Sequence, residues 1–494
     1  MDLILGLRAL AFILYLVFMI YIGLRYMKRN NSSEDFFLGG RSVGPWMTAL
    51  SAEASDMSGW LLMGLPGIAY LTGLKEAFWT AVGLEIGTYL NWLIVAKRLR
   101  RYTVLSGNAI TIPQFLTNRF RDKTKTISLV SVIFILIFFT IYTASGFVAC
   151  GKLLTSVFSV PYKISLLIGI TVILAYTLAG GFLAVSATDF VQGFLMFIAL
   201  VVTCVIIMFS LGGARDAFTK AASFGNQFVN PFAEDGTNFG AMQIISALGW
   251  GLGYFGMPHI LVRFMGIKDE KFIPLSRRIA MTWVTIAFIA ALLIGSFAKA
   301  YLPIPLALGA QETVIIETIK YMYPAFIGGI FLCAILAAAM STADSQLLVA
   351  ASAFSEDFVS TILHRNLSKK TILTTSRITV FAIALVAFFI ALDETSSIFQ
   401  LVSYAWAGFG ATFGPLILLS LFWRGGTYKG AIAGIIAGGA TVIVWHNLHG
   451  GIFDLYEIIP GFVLCLAFAI MVSALDKNKD ASMLAEFDEY QKEM

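Results

Sequence analysis

The chain alternates long apolar stretches with short polar ones over almost its whole length. Stretches of about 20 predominantly apolar residues are long enough to cross a bilayer as helices. Glycine and proline mark the turns between them, with none of the ten-residue alternation of a membrane barrel, so helices are favoured. The pattern predicts an all-α integral membrane protein of about 13 transmembrane helices, near residues 4–27, 45–72, 75–96, 126–151, 163–181, 184–212, 238–262, 276–302, 324–352, 372–392, 396–423, 429–446 and 456–475.

Composition supports this interpretation. Of the 494 residues, 58% are hydrophobic and only 13% are charged, and the mean hydropathy is +0.83, so most of the chain is expected in hydrocarbon. No segment has the composition of a separate soluble catalytic domain, and we expect no enzyme. The cysteines lie in apolar runs without the spacing of a zinc site or a disulfide framework: Cys150, Cys204, Cys333 and Cys465.

Basic residues concentrate in loops on one side of the predicted membrane. Residues 97–125 carry eight of them and residues 263–278 carry five. Because cytoplasmic loops are enriched in lysine and arginine, thirteen alternating spans place the N-terminus outside and the C-terminus in the cytoplasm. Residues 476–494 are polar and of mixed charge, and we expect a solvated cytoplasmic tail.

The second apolar stretch contains both a helix breaker and a charge. In AEASDMSGWLLMGLPG, residues 52–67, Asp56 is followed by Ser58 and Gly59, which have low helix propensity. A helix that unwinds here frees backbone carbonyls, the kind of ligand that hard cations prefer. Unwound backbone at membrane depth is tolerated only where it is buried or lines a cavity.

A second break is expected in GWGLGYFGMPHI, residues 249–260, where four glycines and a proline interrupt the seventh span. Broken helices at corresponding positions of two halves indicate the binding site of a secondary transporter. Each break opens a block of five spans, and an odd number of spans gives the two blocks opposite orientations. We predict an inverted repeat of residues 45–212 and 238–423, with an extra helix in residues 1–30 and two more in residues 429–475.

Five carboxylates fall at membrane depth, where each costs about 3 kcal/mol or more unless it is paired or hydrated. They are Glu53, Asp56, Glu85, Asp189 and Asp344. No lysine or arginine is expected at the same depth, so the partner is predicted to be a mobile cation, Na⁺ or H⁺. A protonated or hydrogen-bonded acid in a helix interface is the alternative, and it stays open above all for Glu53 and Glu85.

The ninth span offers hydroxyl groups to such a cation. In AAAMSTADSQLL, residues 337–348, Ser341, Thr342 and Ser345 are spaced to share one helix face. Hydroxyl oxygens suit Na⁺, although in membrane helices these side chains more often bond to their own backbone. Aromatic residues near the two breaks favour a pocket for a small amino acid with an aliphatic ring: Trp60, Tyr142, Trp250 and Tyr254.

Several motifs, in order along nearly the whole chain, resemble the sodium:solute symporter family and, within it, the sodium/proline branch. They are EDFFLGGRSVGPWMTALSAEASDMSGWLLMGLPG (34–67), GGFLAVSATDFVQ (180–192), GWGLGYFGMPHILVRFM (249–265), AILAAAMST (334–342) and LVSYAWAGFGATFGP (401–415). The resemblance implies the five-plus-five inverted-repeat fold of the leucine transporter with flanking helices. It also implies sodium-coupled uptake of L-proline by alternating access.

Carried over by position, the resemblance implies functional residues. A sodium site is implied at the carbonyls of Ala54, Met57 and Ala338 and the side chains of Ser341 and Thr342, with Asp56 required for sodium coupling. The positions implicated in proline binding are Ser58, Gly59, Trp60, Tyr142, Trp250, Tyr254 and Pro258. Arg41 and Asp189 match positions tied to coupling and cytoplasmic release.

Three residues depart from the family pattern. Glu53, Met257 and Asp344 stand where glycine, glutamine and serine are expected. In some relatives the positions of Asp189, Asp344 and Ser345 form a second sodium site, and an added carboxylate there would strengthen that site or admit a proton. The sodium stoichiometry is therefore open.

The expected partners are L-proline, Na⁺ as the coupling ion and the lipid bilayer of a bacterial cytoplasmic membrane. The charge of +5 is explained by the loop bias and needs no nucleic acid, and a monomer is compatible with the sequence. A sodium symporter for another small solute, such as proline betaine or pantothenate, shares the cation features and differs only around the aromatic pocket.

Overall fold

The computed structural model describes residues 3–27, 33–177, 181–234, 237–362, 369–477 and 479–492. Nearly all of them are helical. The helices up to the middle of the chain are α1 (Leu3–Met27), α2 (Ser33–Leu38), α3 (Pro45–Gly59), α4 (Leu65–Thr72), α5 (Leu74–Leu90), α6 (Ala96–Leu105), α7 (Ile112–Arg119), α8 (Thr126–Phe158), α9 (Tyr162–Thr177), α10 (Phe182–Ser210) and α11 (Ala214–Ala222).

The rest of the chain begins with a short antiparallel hairpin of β1 (Ala233–Glu234) and β2 (Thr237–Asn238). The following helices are α12 (Ala241–Gly249), α13 (Pro258–Gly266), α14 (Ile273–Tyr301), α15 (Val314–Met322), α16 (Ala325–Ser352), α17 (Lys369–Ala391), α18 (Ile398–Phe422), α19 (Tyr428–Trp445), α20 (Ile458–Leu475) and α21 (Ala481–Lys492). Tighter or wider helical turns occupy Gly39–Arg41, Trp60–Gly64, Asn91–Val95, Asn226–Phe228, Trp250–Phe255, Glu270–Phe272, Gln311–Thr313, Ala353–Ile362 and Gly451–Asp454.

Local sequence sets several helix ends. Proline lies in the first turn of α3, α7 and α13, where its missing N–H group would have no partner within the helix. The Ser397 hydroxyl accepts the N–H group of Gln400 at the start of α18, and the Thr427 hydroxyl accepts that of Gly430 at the start of α19.

Each predicted span coincides with one helix or with consecutive helices. Within the described ranges, nine helices are long and apolar enough to cross a membrane by themselves. A tenth crossing comes from Ala241–Phe255 and Pro258–Gly266, which are bent by 43° at the predicted second break. The structure therefore agrees with an all-α membrane protein, while the count of thirteen and the division into repeats stay predictions.

The first predicted break is confirmed in the backbone. Ser58, near the end of α3, has φ 41° and ψ −170°, outside the helical region. Its hydroxyl accepts the N–H group of Trp60 at 3.0 Å, and a wide helical turn follows before α4 begins at Leu65. A serine that bonds to a nearby backbone group competes with the helix for that group. The side chain of Ser58 therefore explains why α3 kinks at this residue.

Glycines let the seventh span, which contains the second break, approach the third span closely. A Cβ atom on Gly87 of α5 would overlap the backbone of Gly251, which lies in the second break. A Cβ atom on Gly83 would come within 2.6 Å of the carbonyl oxygen of Leu248. Small residues at these positions therefore fix the second break directly against α5.

The end of the described chain differs from the prediction of a solvated tail. Met483, Phe487 and Tyr490 have the i, i+4, i+7 spacing of one helix face, and all three are buried in α21. Tyr490 stacks on Tyr102 of α6 with ring centroids 4.2 Å apart, and the Arg119 guanidinium lies 4.7 Å from the Phe487 ring. This apolar stripe docks α21 on α6 and α7.

Charged contacts surround that stripe. Arg121 donates to Glu486 at 2.5 Å, and Arg424 makes two bonds to Asp488, at 2.7 and 2.9 Å. Burial raises the pKa of the Glu486 carboxyl, and the charge of Arg121 opposes that shift. The aromatic residues are therefore expected to supply most of the docking energy, because exposed ion pairs contribute little.

A Tyr490→Ala substitution tests this docking. Truncation of a fully buried aromatic residue costs about 3 kcal/mol or more, so we expect faster amide hydrogen exchange across residues 481–492. The control is Lys492→Ala, which removes an exposed side chain of the same helix. Unchanged exchange rates in Tyr490→Ala would mean that the stacked ring does not hold α21 in place.

Candidate cation and solute site

The broken end of α3 meets α16 through oxygen atoms. The Ser341 hydroxyl donates to the carbonyl oxygen of Ala54 at 2.7 Å and lies 3.3 Å from that of Ala338. Thr342 is 3% exposed, and its hydroxyl oxygen has no hydrogen-bond partner among the described residues. The Ser341 hydroxyl with its two carbonyls, and the unpartnered Thr342 hydroxyl on the next residue, are a donor set that fits a hard cation such as Na⁺.

The carbonyl of Met57, implied as another ligand, accepts the N–H group of Trp60 at the kink. The structure thus brings the Ser341 hydroxyl next to the Ala54 carbonyl of α3, with Thr342 following it in α16. It places Met57 one turn further along α3, at the start of the break. Their service as sodium ligands stays a prediction.

Asp56 links the two breaks. The hydroxyl of Tyr254, in the second break, donates to Asp56 Oδ2 at 2.5 Å, and the Tyr142 hydroxyl of α8 donates to the Asp56 carbonyl at 3.2 Å. The Asp56 side chain is 6% exposed. Because its carboxylate accepts from Tyr254 and its carbonyl from Tyr142, Asp56 is placed to shape the break and to contribute negative charge to it.

Aromatic rings cover the breaks on one side. The Trp60 and Trp250 ring centroids are 5.4 Å apart, and Phe399 of α18 lies 5.2 Å from Trp250. The Trp406 indole N–H group donates to the Trp250 carbonyl at 2.7 Å. Residues implied in solute binding therefore gather around the two breaks: Ser58, Gly59, Trp60, Tyr142, Trp250, Tyr254 and Pro258, the last at the first turn of α13.

A cavity of about 650 Å³ reaches this aromatic cover from the membrane face where α4 ends. Trp250 and Phe399 belong to both the cavity lining and the cover, and Lys75, His446 and Glu457 contribute charged or polar groups to the walls. The cavity is therefore a vestibule above the candidate solute pocket.

The opposite face is closed by Arg41. Its guanidinium donates to the carbonyl oxygens of Met265 at 2.8 Å and Ala109 at 2.9 Å, and it lies 3.3 Å from Glu34. Burial and then the charge of Arg100 lower the pKa of Arg41 to about 10, and Glu34 opposes the shift. The side chain therefore keeps its charge at neutral pH and joins three segments at the face that carries the basic loops.

The three residues predicted for a second cation lie together, but the expectation that no basic residue reaches their depth is wrong. Arg263 of α13 is 2% exposed, and its Nη2 atom lies 3.3 Å from Asp189 Oδ2. The same atom donates to Ser345 Oγ at 2.5 Å, and Ser345 Oγ lies 3.3 Å from Asp344 Oδ1. The break before Pro258 carries Arg263 into the protein interior, whereas the sequence pattern assigned it to the following loop.

The other two membrane-depth acids are hydrogen-bonded. Glu53 accepts the Trp92 indole N–H group at 3.4 Å, and its second oxygen has no partner within the described part of the chain. Glu85 accepts the hydroxyl of Thr285 at 2.5 Å. Glu85 thus matches the alternative of an acid satisfied in a helix interface.

Sequence reasoning missed two further buried groups beside the site. His259 follows Pro258 and is fully buried, with neither ring nitrogen bonded to a residue in the described ranges. Glu312 pairs with Lys152 at 2.6 Å and accepts the N–H group of Phe399 at 3.0 Å. His259 was detectable as a histidine inside a broken apolar span, whereas the pairing of Glu312 depends on long-range contacts.

Comparison with known proteins identifies related sequences. The profile of the Sodium:solute symporter family matches residues 36–438. The chain is 47% identical to the high-affinity proline transporter PutP of Bacillus subtilis, over 96% of this chain and 100% of the relative. It is 45% identical to the sodium/proline symporter of Escherichia coli, over 97% and 95%, and 44% identical to the osmoregulated proline transporter OpuE of B. subtilis, over 94% of each chain.

Two solved structures share the fold. A Na⁺-coupled sialic acid symporter in a substrate-bound outward-open state matches with a TM-score of 0.80 and 19% identity, over 96% of this chain and 99% of that chain. MhsT in complex with L-phenylalanine matches with a TM-score of 0.56 and 13% identity, over 88% and 98%. At these identities the similarity concerns the fold alone, and it confirms a leucine-transporter-like helical architecture.

Proposed function

Because the chain belongs to the sodium:solute symporter family, we propose that it is a symporter that takes up L-proline together with Na⁺ by alternating access. The names of its relatives, at 43–47% identity over nearly the full chain, support both the solute and the ion. Bacterial relatives also support a location in the cytoplasmic membrane.

The observation that carries the proposal is the meeting of the α3 break with α16. Sodium held by the carbonyls of Ala54 and Ala338 and by the hydroxyls of Ser341 and Thr342 would join a broken helix to an unbroken one. An ion can drive a conformational change only if it binds one conformation better than another. A site shared between two elements meets this condition, since any separation of α3 and α16 takes the site apart.

The solute would occupy the space between the breaks. Ring faces of Trp60 and Trp250 suit the apolar ring of proline, and the positive N-terminal ends of the helices that begin after the breaks would attract its carboxylate. Tyr254 and Tyr142 position the break through Asp56, so solute and ion would both contact the broken part of α3. This arrangement supplies a physical route for coupling between them.

The two faces of the protein suggest the direction of transport. The vestibule lies opposite the basic loops, so the positive-inside tendency places it outside the cell. Arg41 and Arg263 close the cytoplasmic side in this conformation. We propose that proline and Na⁺ enter through the vestibule and leave after these two arginine contacts open.

Equilibrium binding of labelled proline to the purified protein tests the choice of solute. We expect binding that requires Na⁺, competition by excess unlabelled proline, and no competition by equal concentrations of proline betaine or pantothenate. Displacement by either compound at lower concentration than proline would assign the pocket to that solute, with the sodium coupling retained.

A further inference from the structure

A cavity of about 490 Å³ opens beside the start of α21, on the face that carries the basic loops. Its walls come from the loop between α7 and α8, the start of α19, and the segment between α20 and α21. Four of the residues that line it are basic: Arg121, Lys123, Lys477 and Lys479. The cavity is separate from the candidate cation and solute site, and the proposed transport of proline gives it no role.

The basic side chains of this cavity are only partly compensated. Arg121 pairs with Glu486 of α21. Within the described part of the chain, Lys123, Lys477 and Lys479 make no ion pair, and all three are exposed. Three free ammonium groups around one cavity indicate a site for an anion.

Asp480 is the one acid in the described lining of the cavity. Its Oδ1 atom accepts the N–H groups of Ser482 and Met483, at 2.9 and 3.3 Å, and the Ser482 hydroxyl at 2.6 Å. The carboxylate is therefore engaged as the cap of α21, where a negative charge also complements the helix dipole.

The start of α19 contributes a rigid donor to the same cavity. Thr427 and Tyr428 belong to the lining, and the Thr427 N–H group donates to Ser473 Oγ of α20 at 3.0 Å, which fixes the start of α19 against the end of α20. The first N–H groups of a helix have no partner within it and attract anions. Ammonium groups next to a helix start suit a phosphate group.

A neighbouring cavity of about 370 Å³ shows a different balance of charge. It is lined by Arg100, Arg101 and Lys268, and also by Asp269 and Glu270. Arg101 pairs with Glu270 there. Basic residues are thus common on this face, but the excess of unpaired positive charge distinguishes the cavity beside α21.

The cavity beside α21 lies where α20 leaves the membrane. Met471 and Leu475 in the last turns of α20 are 49% and 73% exposed, as expected of apolar side chains that contact lipid. Lys477 follows two residues after Leu475. Basic residues directly beyond the cytoplasmic end of a membrane helix bind anionic headgroups. A phospholipid can place its chains against α20 and its phosphate in the cavity, whereas a soluble phosphate gains only the second contact.

We propose that this cavity binds the phosphate of an anionic phospholipid in the cytoplasmic leaflet. The proposal goes beyond the proposed function and does not depend on it. Met483 lines the cavity and also belongs to the apolar stripe of α21. A bound headgroup therefore stabilises the docked position of α21, and the lipid composition of the membrane controls how firmly α21 packs on α6 and α7.

Amide hydrogen exchange of the full-length protein in lipid nanodiscs tests the site. One set of nanodiscs contains phosphatidylcholine alone, and the other contains an equal mixture of phosphatidylcholine and phosphatidylglycerol. We expect residues 481–492 to exchange about tenfold more slowly with phosphatidylglycerol, because a ligand that binds only the docked helix reduces its opening.

A variant that combines Lys123→Gln, Lys477→Gln and Lys479→Gln removes the three unpaired charges of the cavity. We expect it to lose the slowing by phosphatidylglycerol and to exchange like the native protein in phosphatidylcholine. Because all three lysines are exposed, their replacement is expected to leave the fold intact. Equal slowing in this variant and in the native protein would overturn the proposal.

The control variant combines Lys268→Gln, Lys271→Gln and Arg278→Gln. It removes the same amount of charge from exposed positions on the same face, outside the cavity beside α21. We expect it to retain the slowing by phosphatidylglycerol. Loss of the slowing in this control would mean that the general positive charge of the face attracts the lipid, and would overturn a specific site.

Inorganic phosphate added to the phosphatidylcholine nanodiscs distinguishes the two sources of a phosphate group. We expect no slowing of exchange in residues 481–492 by inorganic phosphate. Slowing equal to that by phosphatidylglycerol would assign the cavity to a soluble anion and overturn the lipid proposal. These measurements use neither proline nor a sodium gradient, so their failure is distinguishable from a failure of the proposed transport.

Discussion

Replacing Asp56 by asparagine is expected to raise the sodium concentration for half-maximal proline uptake by at least tenfold. The amide has the shape of the carboxylate and still offers an oxygen to the Tyr254 hydroxyl, which lies 2.5 Å from Asp56 Oδ2. What it lacks is the negative charge in the α3 break, two residues from the Ala54 carbonyl. Interactions with a charged group contribute about 1.5–3 kcal/mol, and each 1.4 kcal/mol corresponds to about tenfold in affinity.

Initial rates of labelled proline uptake, recorded over a range of sodium concentrations in membranes with matched protein levels, measure this effect. Tyr254→Phe is the matched control, because it removes the other partner of the same hydrogen bond and leaves the charge. We expect Tyr254→Phe to change the sodium requirement much less than Asp56→Asn. An unchanged sodium requirement in well-inserted Asp56→Asn would remove Asp56 from the coupling mechanism.

The second large effect is expected from the hydroxyls of α16. A protein with both Ser341→Ala and Thr342→Ala should lose sodium-driven uptake, because both side-chain oxygens of the proposed sodium site are gone. The two single variants should differ in whether they also weaken the contact between α3 and α16. Ser341 also donates to Ala54 at 2.7 Å, so its loss weakens the α3 to α16 contact as well. Thr342 has no such partner in the described part of the chain, so its loss should affect only the ion.

The melting temperature of purified Thr342→Val, with and without sodium, separates these effects. Without sodium we expect the melting temperature of the native protein, since valine keeps the shape of threonine. On sodium addition we expect a much smaller increase than in the native protein, since valine lacks the hydroxyl oxygen. Thr412→Val is the control, because the Thr412 hydroxyl of α18 is likewise buried and has no partner among the described residues. Equal sodium responses in the two variants would place the ion elsewhere.

The backbone of the site was predictable from sequence because its causes are local. Ser58 and Gly59 disfavour a helix by their own chemistry, and the structure breaks α3 at Ser58. Pro258 disfavours a helical backbone at the preceding residue, Met257. The seventh span bends at this position by 43°. Helical spacing predicted that the hydroxyls of Ser341, Thr342 and Ser345 share one face, whereas the choice of Ser341 and Thr342 as ligands came from the family resemblance.

Features that depend on distant parts of the chain were not predictable. Arg263 lies in a stretch that continues into a basic loop, and only the packing of α13 against α3 and α10 shows that it is buried beside Asp189. The stripe of α21 was visible in the spacing of Phe487 and Tyr490, but its partner Tyr102 is almost 400 positions away. A local pattern shows that a buried arginine or an aromatic stripe needs a partner, but it does not show which residue is that partner.

Accumulation of labelled proline in proteoliposomes shows directly whether the sodium gradient drives its uptake. One charge moving through 100 mV supplies about 2.3 kcal/mol, and a tenfold sodium gradient adds about 1.4 kcal/mol, together enough for roughly 500-fold accumulation. With both the membrane potential and the sodium gradient imposed, we expect the internal concentration of labelled proline to rise well above the external one. When choline replaces sodium, we expect the two concentrations only to become equal. Equal accumulation in choline, or no accumulation of proline in sodium, would rule out uptake driven by the sodium gradient.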